Sequence, residues 1–98
     1  MTRLVIFSQR AESWIEGELL YLREHSPAAA RHLIQRLAAA RQTLADFPQS
    51  GPRSPVPGTR RLIMLPYVLT YQDAAPDRVI IIDIRHGRQL PFRPADEA

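Results

Sequence analysis

Two amphipathic segments meet at His25-Ser26-Pro27, and that joint constrains the fold more than any other feature of the chain. The first segment, about Gln9 to Glu24, repeats Ala11, Trp14, Ile15, Leu19 and Leu22 at the i, i+3, i+4 spacing of a helix with one apolar stripe. Ser8 is suited to cap its start, and Gly17 lies outside the stripe at a cost of about 1 kcal/mol relative to Ala. The second, about Pro27 to Asp46, carries Ala30, Leu33, Ile34, Leu37, Ala38, Leu44 and Ala45 on one side. Ser26 caps it, and Pro27 occupies the first turn, where a missing N–H does no harm. Helices joined so tightly form an antiparallel hairpin, and neither can bury its stripe without a further layer.

Strand-like segments supply that layer. Leu4-Val5-Ile6-Phe7 is short and rich in β-branched residues. After Asp46 comes one long loop, Phe47 to Gly58, made semi-rigid by its prolines. Leu62 to Leu65 then runs apolar until Pro66-Tyr67, Val68 to Tyr71 resumes, Asp73 to Asp77 turns, and Val79 to Ile84 closes the pattern. Short connections make the last three segments antiparallel neighbours. The expectation is an α+β domain of order β-α-α-β-β-β covering residues 1–98, with a helical hairpin on one face of a small, mainly antiparallel sheet. By pleat alternation in the last strand, Ile80, Ile82, Ile84 and His86 should face the helices, while Val79, Ile81, Asp83 and Arg85 take the open face.

Composition narrows the function classes. At 98 residues and 45% apolar the chain supports one modest core. It has no cysteine, which removes disulfide and thiolate chemistry. No apolar run has the length of a membrane span, and Leu4 to Phe7 is too short for a signal peptide, so a cytoplasmic protein is expected. The net charge is +3 and the pI about 10.2, because every basic residue other than the three histidines is arginine. A GC-rich coding sequence would produce that bias without any function. Arginine forks nevertheless suit phosphate and carboxylate alike, leaving nucleic acid and an acidic protein both open as partners.

Cationic side chains gather at strand ends: Arg60-Arg61 opens one segment, and Arg85-His86-Gly87-Arg88 ends the last. His86 could act as a general acid or base, or could simply hydrogen-bond locally where its strand stops. Arg60 and Arg61 must point to opposite faces, so at most one joins Arg85, and the other should meet a helix carboxylate. Glu18, inside the first apolar stripe, needs a partner or a solvent edge. Arg41, in the second stripe, should either reach the edge or stack on Trp14. Tyr67 and Tyr71 share a strand face and could stack on a base or fill the helix–sheet seam. His25, His32 and His86 are too dispersed for a metal site, and neither a hydrolase triad nor a nucleotide-binding loop is present, so no cofactor is expected.

An ordered set of short motifs spans nearly the whole chain. It comprises Trp14-Ile15, Phe47-Pro48-Gln49-Ser50-Gly51, Gly58-Thr59-Arg60-Arg61, Tyr67-Val68-Leu69-Thr70-Tyr71 and Ile82-Asp83-Ile84-Arg85-His86-Gly87-Arg88. Each motif is degenerate, but the order is fairly specific, and it resembles the RelE/ParE superfamily of toxins from bacterial type II toxin–antitoxin modules. The resemblance implies the same β-α-α-β-β-β fold. It further implies a growth-inhibiting, plasmid-stabilising protein held inactive by a cognate antitoxin, ParD-like or similar, encoded beside it.

The superfamily divides by target. Its RelE-like branch cleaves mRNA on the ribosome with basic side chains and a general acid or base; its ParE-like branch poisons DNA gyrase without assigned nuclease residues. Ribonuclease members commonly carry Arg where this chain has Val68, and a Tyr near the end where it has Phe92. The reading preferred is therefore ParE-like and non-enzymatic, with Arg60, Arg61, Tyr71, Arg85 and Arg88 as partner-binding residues. In the ribonuclease alternative the catalytic candidates are His86, Arg85, Arg88, Arg60 and Arg61. A non-toxic nucleic-acid-binding module is a third possibility, disfavoured because no helix carries a continuous basic face.

Overall fold

The computed structural model describes residues 2–87. Six elements follow one another: β1 (Leu4–Phe7), α1 (Gln9–His25), α2 (Pro27–Asp46), β2 (Thr59–Met64), β3 (Tyr67–Ala75) and β4 (Arg78–His86). The expected α+β architecture holds. Both helices pack against a four-stranded mixed sheet of order β1-β4-β3-β2. Strands β2, β3 and β4 are antiparallel neighbours, whereas β1 joins the far side of β4 in parallel, Val5 opposite Val79. No helix is long and apolar enough to cross a membrane among the described residues.

Both helix starts follow the capping logic. Ser8 Oγ accepts the Ala11 N–H at 3.1 Å, and Ser26 Oγ accepts the Ala29 N–H at 3.3 Å. Ser26 also closes α1, its own N–H bonding to the Leu22 carbonyl. Ala11 of α1 and Leu33, Ala40, Leu44 and Ala45 of α2 are buried with Val5, Tyr67, Leu69, Tyr71, Val79, Ile81 and Ile84 of the sheet. Trp14, Ile15, Leu19, Leu22 and Leu37 pack around them. In α2 the buried stripe is narrower than expected: Ile34 is 48% exposed and Ala38 is exposed, because the face centres on Leu33, Leu37, Ala40 and Leu44. Arg41 runs to the β1 edge, 5.2 Å above the Phe7 ring and 3.3 Å from the Val5 carbonyl, not to Trp14.

Strand β4 corrects the simple pleat. Thr70 pairs with Asp83 but Tyr71 pairs with Ile81, so Ile82 is an extra residue, a β-bulge. The bulge switches faces. Val79 and Ile81 therefore join Ile84 and His86 on the helix side, and Ile80 and Ile82 do not. Ser8 braces the bulge from the neighbouring strand end, its hydroxyl donating to the Ile82 carbonyl at 3.0 Å and its N–H to the Ile81 carbonyl.

The proline-rich loop is tied along the outer edge of β2. Arg61 N–H bonds to the Pro52 carbonyl and Ser54 N–H to that of Thr59, with an isolated bridge between Arg53 and Arg60. Gly51 is the anchor. A Cβ there would collide with the Arg61 carbonyl oxygen and lie 3.0 Å from Tyr71 Oη. Tyr71 Oη accepts the Gly51 N–H at 3.1 Å, and Arg60 Nη1 donates to the Gly51 carbonyl at 2.9 Å.

Candidate functional site

Where β4 ends, beyond the reach of the shorter β1, polar groups collect on both faces of the sheet. On the helix side the register sets Tyr67 opposite His86 across β3 and β4. The Tyr67 ring meets Trp14 edge-on at 5.7 Å and His86 at 5.1 Å. Its hydroxyl donates to Glu18 Oε2 at 2.9 Å, and the same oxygen stands 3.9 Å from His86 Nε2. Glu18 has thus found the partner its place in the apolar stripe required. Burial, then the hydrogen bond and charge of Glu18, push the Tyr67 phenol up to about 12 from 10.0, Arg36 opposing weakly. At neutral pH Tyr67 is a hydrogen-bond donor and not a base.

On the open face Asp83 is the centre. Arg85, two residues along the same strand, closes a fork on it: Nε to Oδ2 at 2.7 Å and Nη2 to Oδ1 at 3.1 Å. Arg10, from the first turn of α1, reaches over with Nε 2.8 Å from Oδ1. The Asp83 side chain is 4% exposed, against 20% for Arg85 and 40% for Arg10. Such a buried carboxylate is stable only because two guanidiniums saturate it.

The other cations are placed differently. Arg61 joins the open face through the row Arg61–Thr70–Asp83, and its Nε is buried without a hydrogen-bond partner among the described residues. Arg60 points to the opposite side and takes the Gly51 and Gln49 carbonyls, not a helix carboxylate. Tyr71 is fully buried, so its side chain is part of the core and reaches no surface. Arg88 lies outside the described residues. Of the candidate residues, then, Arg61 and Arg85 share the open face, while His86 belongs to the Tyr67–Glu18 cluster behind it.

Three members of these clusters escaped sequence reasoning. Trp14 and Tyr67 looked like seam residues, with no sign that they would frame His86. Arg10 gave no local signal, since its contact depends on β1 lying parallel to β4. The Asp83–Arg85 pair was legible, because residues two apart on a strand share a face.

Comparison with known proteins gives the fold and site a context. The sequence profile of the family described as "ParE toxin of type II toxin-antitoxin system, parDE" matches residues 5–91. Toxin RelE2 of Caulobacter vibrioides is 30% identical over 86 residues, covering 88% of this chain and 97% of that protein. A solved chain from the chromosomal ParDE TA system of P. aeruginosa superposes with a TM-score of 0.70 at 19% identity, over 87% of this chain and 96% of that one, a likeness of fold. With a family match running from β1 past the end of β4, the chain belongs to the ParE toxins of type II toxin–antitoxin systems, within the RelE/ParE superfamily.

Proposed function

We propose that this toxin arrests bacterial growth by poisoning DNA gyrase and is not a ribonuclease. The carrying observation is the closed fork of Arg85 on Asp83. A nuclease needs a cation directed at the charge that develops on the phosphorus and a group able to take a proton near neutral pH. Arg85 spends its fork on a buried carboxylate, Tyr67 keeps its proton until about pH 12, and aliphatic Val68 stands directly across from Arg85. His86 has an imidazole of suitable type and is 40% exposed, but it stands against the Tyr67 ring with its Nε2 3.9 Å from Glu18, on the face of the sheet opposite Arg85.

A cognate antitoxin, ParD-like in the simplest case, neutralises the toxin. It binds as an extended or helical segment over the helical hairpin and sheet edge, its carboxylates meeting arginines such as Arg61. Folding on binding lets such a segment cover a large area of a domain this small. The location is cytoplasmic, where gyrase is.

The test pairs two assays on purified toxin. Incubation with gyrase and supercoiled plasmid should trap cleaved DNA, and a ribosome-containing translation mixture should leave mRNA intact. His86→Ala should retain toxicity, because no proton transfer depends on that ring. Ribosome-dependent mRNA cleavage by the wild type, lost in a folded His86→Ala protein, would overturn the gyrase reading.

A further inference from the structure

We infer that Asp83 is a specificity-determining residue: it keeps the open face of the sheet from binding nucleic-acid phosphates. The inference rests on the non-nuclease reading above, and it assigns that property to one side chain.

The open face is laid out for an anion. Arg61 enters through the row it shares with Thr70 and Asp83, Arg85 lies two residues beyond Asp83, and Arg10 arrives from α1. Three guanidiniums on a face flanked by aliphatic Ile63 and Val68 would offer fixed, poorly hydrated forks to a phosphate backbone. Asp83 alters the balance. Its two oxygens take three hydrogen bonds, one from Arg10 and two from Arg85. Arg85 gives Asp83 two donors on one edge of its fork and Arg10 gives its Nε, and a phosphate approaching either would also meet a carboxylate behind it.

Core packing does not explain this acid. Asp83 lies on the face away from the helices, and a neutral side chain of the same shape would fill the same space. Its charge is what distinguishes it. The carboxylate cancels one of two adjacent positive charges and engages both arginines through hydrogen bonds, so the face has less free positive charge to offer a phosphate.

The experiment compares wild type with Asp83→Asn for binding a fluorescein-labelled oligouridine, by anisotropy at about 50 to about 200 mM salt. Asn keeps the shape and removes the charge. The variant should bind on the order of tenfold more tightly at the low-salt end. Its log–log salt slope should steepen by about 1.4, two phosphate contacts at about 0.7 each for a single strand. Loss of the buried anion destabilises the fold, so Asp83→Asn/Arg10→Gln is made alongside: it removes one of the anion's two cationic partners with it and should steepen the slope by about 0.7. Circular dichroism establishes that each is folded. Folded variants with wild-type affinity and slope would overturn the role of Asp83 while leaving the gyrase reading intact. Ribosome-dependent cleavage by the unaltered protein would overturn the gyrase reading instead, whatever the variants do.

Discussion

Gly51→Ala should be among the most damaging small substitutions in this chain, although it adds one methyl group to a loop. The methyl has no room, since it would run into the Arg61 carbonyl and sit 3.0 Å from Tyr71 Oη. Arg61 is held in the β2–β3 ladder opposite Thr70, so the loop must move and not the strand. Forcing a group into packed surroundings costs about 1–3 kcal/mol. Displacement also lengthens the Tyr71–Gly51 and Arg60–Gly51 hydrogen bonds, and losing one adds about 1 kcal/mol. The sum, about 2–4 kcal/mol, corresponds to a Tm lower by about 10–25 °C for a domain of this size. Thermal and urea unfolding measure the loss, and amide exchange locates it: the Gly51 and Arg61 N–H groups should exchange faster while the α1 amides keep their relative order of protection. A Tm within about 3 °C of wild type, with both amides still protected, would refute the close approach that the reasoning depends on.

Other perturbations test other parts of the structure. Tyr71→Phe keeps the buried ring but leaves the Gly51 N–H without its acceptor, and urea unfolding should show a loss of about 1–2 kcal/mol. Ser8→Ala removes both the α1 cap and the brace on the Ile82 bulge, so the loss should exceed the usual cap value of about 1 kcal/mol in the same assay. Gly17→Ala should have the opposite sign, raising stability by about 1 kcal/mol, since nothing lies within 4 Å of the added methyl. The folded state raises the Tyr67 phenol from 10.0 to about 12, so its contribution is complete below pH 10 and is lost as pH climbs to about 12. An absorbance titration should show a step with a midpoint near 12 that is lost in Tyr67→Phe; an earlier midpoint for that step would contradict the Glu18 contact.

Local chemistry made much of this fold readable. Helix limits followed from Ser8, Ser26 and Pro27, whose effects act within one turn, and the β2–β3–β4 meander followed from short connections. What could not be read depended on distant partners. The position of β1 beside β4 joins segments more than seventy residues apart, Ser8 to Ile82 being separated by 74, and no local pattern encodes it. The face assignment of β4 failed for all four residues from Val79 to Ile82, because four consecutive apolar residues carry no period that reveals the bulge at Ile82. The site shows the same division. Asp83 and Arg85 were placed on one face by pleat alone. Arg10 and Trp14 were not, since their contacts arise only after the helix has docked. Arg60 went to loop carbonyls because the proline-rich loop lies against β2, which neither its length nor its composition revealed.

The parallel seam between β1 and β4 also governs when, during synthesis, the chain can become a toxin. The helical hairpin is local and can collapse as soon as Asp46 has emerged from the ribosome. Strand β1, made before either helix, must wait for Arg78 through Ile81 before it gains a partner. Until then Val5 has no strand beside it, and Val79, Ile81 and Ile84 have not reached the core. Contacts so distant in sequence form late and close slowly. A nascent or prematurely terminated chain lacking β4 is therefore an unclosed hairpin with an exposed stripe, a substrate for proteases and not a poison. The gene's product becomes dangerous only once β4 has been translated.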